Sequence, residues 1–169
     1  REAGYHQAEV FPDVQFLSRV LISALDIARD AHFAQKDWPS ALKRVDAIIA
    51  VKRALHRPDQ DIALTRMNRA NVLGSLGRYG EAQNELEDCL PIFSDDPTRS
   101  ARVLSSLASL FDDQGDYSRA VELERRALAK CEQLPDPQER AVSHNNLAIY
   151  LENIATAPAL SESPYHRLA

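Results

Sequence analysis

At 169 residues, with 44% hydrophobic and 27% charged residues, the chain is long enough for one domain and too apolar to remain disordered over most of its length. Its formal net charge of −5 argues against nucleic acid as the principal partner, because phosphate recognition needs a clustered basic surface. No stretch reaches the roughly 18 consecutive apolar residues of a membrane span, and no basic-then-apolar signal pattern opens the chain, so no membrane partner is expected.

Residues 1–15, with Gly4, Pro12 and several polar side chains, are expected to form a leader or linker. The following segment, 16–58, carries Asp37-Trp38-Pro39-Ser40-Ala41, and the same local grammar returns as Gly77-Arg78-Tyr79-Gly80-Glu81-Ala82 and Gly115-Asp116-Tyr117-Ser118-Arg119-Ala120. The alanines advance by 41 and then 38 residues, a period that means stacked supersecondary units rather than one globular core. Two further columns keep phase with it: Ala70, Ala108 and Ala148, and Asp59, Asp96 and Asp136. Small residues on both members of a helix pair are what a close crossing requires. Gly77 and Gly115 fall where the first helix of each pair must end, and Trp38, Tyr79 and Tyr117 begin the second. Lys36 replaces glycine in the first segment, and counting back 12 residues from Ala41 gives Arg29 rather than Ala28 or Ala31, so a loop of different length is expected there.

The segments 59–95 and 96–135 keep the grammar best. Asp96-Pro97 fits an N-cap followed by proline at the first helical position, and Val103, Leu104, Leu107, Leu110 and Phe111 follow helical spacing. The last segment, 136–169, opens with Asp136-Pro137 and the capping-box spacing Asp136 to Glu139. It then reads Ala155-Thr156-Ala157-Pro158-Ala159-Leu160, with no glycine, no aromatic, and leucine where alanine belongs. Either this is an atypical end cap, or the chain is a piece of a longer array.

The run Asn68-Arg69-Ala70-Asn71-Val72-Leu73 with Leu76-Gly77-Arg78-Tyr79-Gly80-Glu81-Ala82 resembles tetratricopeptide repeats (TPR). Ser105-Ser106-Leu107-Ala108 through Gln114-Gly115-Asp116-Tyr117 and Glu124-Arg125-Arg126-Ala127-Leu128 is similar to the longer-period version found in kinesin light chains, and His144 to Tyr150 is similar to the start of another repeat. The resemblance implies an all-α fold, a right-handed superhelical solenoid of antiparallel helix pairs with about four units, the last atypical or truncated. It also implies that first helices line a concave groove. Carried over, the faces hold Met67, Asn68, Asn71 and Ser75, then Arg102, Ser105, Ser106, Ser109, Asp112 and Asp113, then Asn145, Asn146, Ile149 and Asn153.

Asparagine both donates and accepts, which suits the amides and carbonyls of an extended ligand backbone. The lysine and asparagine set that clamps a terminal carboxylate in chaperone-binding members is not reproduced, and Asp26, Asp30, Asp112, Asp113 and Glu152 favour a ligand with some positive charge. The reading is a cytoplasmic, non-catalytic scaffold that binds a peptide or partner protein in the groove. The alternatives are a sensor segment of a larger signalling protein and a module that self-associates through an exposed array end. Cys89 and Cys131 fit a reduced compartment.

An enzyme is not expected, nor a cofactor or metal. Gly74, Gly77 and Gly80 have neither the dinucleotide nor the Walker spacing. The paired carboxylates Asp95-Asp96 and Asp112-Asp113 lie at helix boundaries, and the histidines His6, His32, His56, His144 and His166 form no ligand framework. Cys89 lies among Leu86 and Leu90, where burial outweighs reactivity. The basic residues Lys43, Arg44, Lys52, Arg53 and Arg57 are read as a solvated outer face.

Overall fold

The computed structural model describes residues 10–132, 134 and 137–157. The chain divides into two compact units, Arg1–Ser94 and Asp95–Ala169, and every regular element among the described residues is helical. The first unit holds α1 (Val10–Ala34), α2 (Trp38–Ala54), α3 (Asp59–Ser75) and α4 (Tyr79–Cys89), then a 3-10 turn at Pro91–Phe93. The second holds α5 (Pro97–Asp113), α6 (Tyr117–Cys131) and α7 (Pro137–Thr156). Consecutive helices pack on one another within each unit, and α5 also touches α7. Because α1 starts at Val10, the stretch expected as a leader is helical over residues 10–15.

One turn geometry closes α1, α3 and α5. The Gly77 N–H donates to the Gly74 carbonyl (2.8 Å) and Arg78 N–H to Leu73 (2.9 Å); Gly115 donates to Asp112 (2.8 Å) and Asp116 to Phe111 (2.9 Å). After α1 the same two bonds recur, Lys36 to Phe33 (3.0 Å) and Asp37 to His32 (2.9 Å). The expected difference in loop length is therefore corrected: this loop matches the others, with Lys36 at φ 55° where Gly77 and Gly115 adopt 72° and 78°. Arg29 itself then occupies the column of Ala70 and Ala108, its guanidinium held by Asp26 (2.6 Å) and Asp30 (2.9 Å).

A side chain at positive φ crowds its own carbonyl, so Lys36→Gly is expected to stabilise the chain by about 1 kcal/mol. Gly77→Ala is expected to cost about the same, and through the backbone alone, because a methyl group there meets nothing within 4 Å. Thermal denaturation of the two variants checks both signs.

The second helices start where the aromatic residues predicted them, at Trp38, Tyr79 and Tyr117. Asp37, Asp96 and Asp116 cap them or their neighbours, accepting from the backbone N–H of Ser40 (3.2 Å), Arg99 (2.9 Å) and Arg119 (3.2 Å). Asp59 is the first residue of α3, with Pro58 in the cap position, and Asp136 lies outside the described residues.

The column Ala41, Ala82 and Ala120 is fully buried, as are Ala70 and Ala108 beneath it. In the first unit Ala41, Val45, Ile49 and Val72 form a cluster that Phe33, Trp38, Leu42, Ile62 and Leu76 close over. Trp38 meets Phe33 edge-on with ring centroids 5.4 Å apart. In the second unit Ala108, Phe111, Ala120, Val121 and Tyr150 form the counterpart, joined by Leu123 and Leu147. Ala148 is exposed, and the second helix expected to cross it lies outside the described residues.

Both thiols are buried. Burial pushes Cys89 up to about 11, and its Sγ donates to the Ala63 carbonyl (3.6 Å). Burial likewise raises Cys131. Both should resist iodoacetamide at pH 8 in the native chain and react within minutes once it is unfolded, because only the thiolate attacks. Rapid native labelling would contradict their packing.

Candidate partner-binding surfaces

The side chains left outside the two cores can be read by their offset from the alanine columns. One residue after Ala70, Ala108 and Ala148 stand Asn71, Ser109 and Ile149, and all three are exposed. Two residues before the same alanines stand Asn68, Ser106 and Asn146, all half-buried at the edge of that face. Three before them, Met67 is buried and Ser105 half-buried, whereas Asn145 is exposed. The periodicity that sets the core thus also sets which polar side chains reach solvent. Asn71, Asn145 and Asn146 make no side-chain hydrogen bond among the described residues.

In the first unit the α3 face carries Asn68, Asn71 and Ser75, and Ser75 Oγ donates to the Asn71 carbonyl (3.1 Å). On α1, Asp26 and Asp30 are both taken by Arg29, so they contribute less negative charge than their count implies. Two of the five basic residues read as solvated are paired instead. Lys52 Nζ donates to Asp61 Oδ1 (2.8 Å) and Thr65 Oγ1 (2.9 Å), and Arg57 Nε donates to Asp61 Oδ2 (2.9 Å). Burial works against the charge of Asp61, yet hydrogen bonds from Lys52 and Arg57 hold its carboxyl below the usual range. On another side of α3, Arg66 and Arg69 both reach Glu85 (2.6 and 2.9 Å), Arg66 also reaches Asp88 (2.8 Å), and Arg69 reaches Asp46 on α2 (2.7 Å). This network ties α2, α3 and α4 together and passed unnoticed in the sequence.

In the second unit, α5 and α7 are bridged at two levels. Arg102 donates to Glu139 (2.6 Å), and Asn153 Nδ2 donates to Asp112 Oδ1 (2.7 Å) one helix length further on. Between them lie Ser105, Ser109 and Asn146. Ser105 turns inward, its hydroxyl donating to Glu124 Oε1 (2.9 Å) on α6. Glu124 is fully buried, and its Oε2 has no partner among the described residues.

This face is electronegative. Burial, and then the Asp112 charge beside it, raise the Asp113 carboxyl above its ordinary value. Burial, and then Glu124, Asp112 and Asp113, push the Tyr150 phenol well above its own. A positive group placed here would relieve the mutual repulsion of these carboxylates. Among the described residues no group of histidine, cysteine and carboxylate side chains could hold a metal ion, and no helix is long and apolar enough to cross a membrane.

Residues 61–133 match the family model described as Tetratricopeptide repeat. Among solved structures, BtubC (BKLC) from P. vanneervenii is similar with a TM-score of 0.67 at 20% identity; the match covers 82% of this chain and 58% of that one, so the chain spans little more than half its length. The TPR2B domain of yeast Sti1, solved as a pHsp70 complex, is similar at 0.60 and 21% identity over 79% of this chain and 98% of that one. A kinesin-light-chain-type protein of nearly identical TPR-like repeats from Podosopora anserina is similar at 0.63 and 17% identity, covering 80% of this chain and 68% of that one. No curated protein matches the sequence. At these identities the likeness shows the fold, an all-α helical-repeat solenoid. Residues 61–133 belong to the tetratricopeptide repeat family, with helices of the same kind on either side of them.

Proposed function

We propose that the chain is a non-catalytic protein-interaction scaffold that binds a peptide or partner protein on the first-helix faces of its repeats. In the first unit the contact residues are Asn68 and Asn71. In the second they are Arg102, Ser109, Asp112, Asn145, Asn146 and Ile149, with Asp113 beside them. The observation that carries this reading is that Asn71, Ser109 and Ile149, each one residue after its alanine, are all exposed, so each first helix presents the same phase to solvent. Within each unit, exposed side chains that donate and accept suit the backbone of an extended chain, and a rigid helix pair lowers the ordering cost of binding one. Met67 and Ser105 are given no contact role, the first being buried and the second engaged by Glu124.

The Sti1 domain of similar fold was solved with pHsp70 bound, which supports a polypeptide ligand here without naming it. The charge of the α5 and α7 face favours a ligand carrying lysine or arginine. Affinity capture from a lysate of the source organism tests the reading, comparing the parent with an Asn71→Ala, Asn145→Ala variant. Both asparagines are exposed, so the variant should stay folded and lose a partner that the parent retains. Identical retained sets would count against the reading.

A further inference from the structure

We infer that the cleft between α1 and the turn joining α2 to α3 is a binding site for a small organic monocarboxylate, its carboxylate held by Arg19 and Arg57 and its apolar body lying on Ile22 and Leu55. α1 packs on α2 and α2 on α3, which leaves a gap beside the end of α2. The gap is a cavity of about 350 Å³, at the small end of the ~300–1,000 Å³ spanned by small-molecule sites.

Local structure places each wall. Arg19, Ile22 and Asp26 follow one another at steps of three and four and so share one side of α1, with Ser23 at the same rim. α2 ends in the turn that also closes α1: the His56 N–H donates to the Arg53 carbonyl (3.0 Å) and the Arg57 N–H to the Lys52 carbonyl (3.0 Å), with His56 at φ 50°. Arg57 is thereby folded back beside the last turn of α2, where Lys52 and Leu55 line the same cavity. Lys52 Nζ commits its donors to the Asp61 carbonyl (3.2 Å), Asp61 Oδ1 (2.8 Å) and Thr65 Oγ1 (2.9 Å), which pins this end of α2 to α3.

Charge selects the ligand. The lining carries three cationic side chains, Arg19, Lys52 and Arg57, against two carboxylates, Asp26 and Asp61. Both carboxylates are engaged, Asp26 by Arg29 (2.6 Å) and Asp61 by Lys52 (2.8 Å) and Arg57 (2.9 Å). Arg19 makes neither an ion pair nor a side-chain hydrogen bond among the described residues, and only the Nε of Arg57 meets Asp61, which leaves its Nη groups open. Planar guanidinium donors fit the two oxygens of a carboxylate. A surplus of one positive charge suits a monoanion, whereas the second charge of a phosphate would be set against Asp26 and Asp61. Ile22 and Leu55 are half-buried beside the guanidinium groups and offer apolar surface that an inorganic anion would leave unused. The cavity shares no residue with the faces proposed to bind a polypeptide, so either assignment can fail alone.

Amide-resolved titration of the whole chain with 4-methylpentanoate tests the site. Saturable shifts are expected at Arg19, Ile22, Ser23, Leu55 and Arg57, in the millimolar range usual for so small a ligand. The amine of similar shape, 3-methylbutylamine, should produce none, and acetate and inorganic phosphate should each bind at least about fivefold more weakly. Arg19→Gln, at an exposed position, should weaken 4-methylpentanoate about fivefold or more while keeping its helical circular dichroism. Arg53→Gln, an exposed site on the same end of α2 but outside the cavity, should bind as the parent does. Four results would overturn the site: no saturable shift at the lining residues; an equal response to the amine; acetate or phosphate binding as tightly, which would mean an adventitious anion only; or a loss in Arg19→Gln no greater than in Arg53→Gln.

Discussion

Replacing Phe93 by alanine is expected to cost about 3–5 kcal/mol of folding stability. Phe93 is fully buried, yet it sits in a three-residue 3-10 turn rather than in a long helix. Such a turn has too few hydrogen bonds to hold itself, so its place against α3 and α4 depends on the ring. Loss of the ring leaves a cavity and frees the end of α4 together. Chemical denaturation should show the loss, and amide exchange should rise first between Cys89 and Ser94. A cost under about 1 kcal/mol would mean that the turn is held by its backbone and not by Phe93.

The second large effect concerns binding. Asp112→Asn with Asp113→Asn should lower the affinity for a lysine- and arginine-bearing peptide by about tenfold or more, equivalent to ~1.4 kcal/mol, and leave a neutral peptide unaffected. The amide at position 112 keeps an oxygen that can accept from Asn153, so the bridge between α5 and α7 survives the change. The pH dependence has a definite sign. Burial and the neighbouring Asp112 raise Asp113, so it takes up its proton at higher pH than an ordinary aspartate. A cation prefers the ionised form, so affinity should fall as pH drops through the carboxylate range and begin to fall early, and Asp113→Asn should flatten the onset. Added salt should weaken the parent's binding and scarcely change the double variant's. Titration by fluorescence anisotropy reads each of these; equal affinities for parent and double variant would remove the charge argument.

The repeat grammar made most of the fold legible because core and turn positions recur under the same physical demand. Alanine at Ala70, Ala108 and Ala120 permits close crossings, glycine at Gly77 and Gly115 permits the left-handed turn, and aspartate at Asp96 and Asp116 closes a helix start. Arg29 and Lys36 misled for one reason: the turn after α1 keeps its geometry although its residue types depart from the pattern. Hydrogen bonds and tertiary packing there outweigh the preference of a single residue.

The candidate surface was only half legible. Exposure of Asn71, Ser109 and Asn145 follows from helical phase, but the inward turn of Ser105 depends on Glu124, a residue of another helix. That partner had left a trace. Four residues after Ala41, Ala82 and Ala120 stand Val45, Leu86 and Glu124, all buried, so a carboxylate occupies a column that is otherwise apolar. Exposure of Leu17 and Ile27 on α1 does not follow from the sequence, because helical apolar spacing reads as core until the neighbouring elements are known.

Binding of a polypeptide to the first-helix faces can be read residue by residue, by amide-resolved chemical-shift mapping of the labelled chain with a lysine- and arginine-bearing peptide. Saturable shifts are expected at Asn68, Asn71, Ser109, Asp112, Asp113, Asn145 and Asn146, with the exposed sides of α2, α4 and α6 unchanged. Saturable shifts confined to α2, α4 and α6 would contradict it.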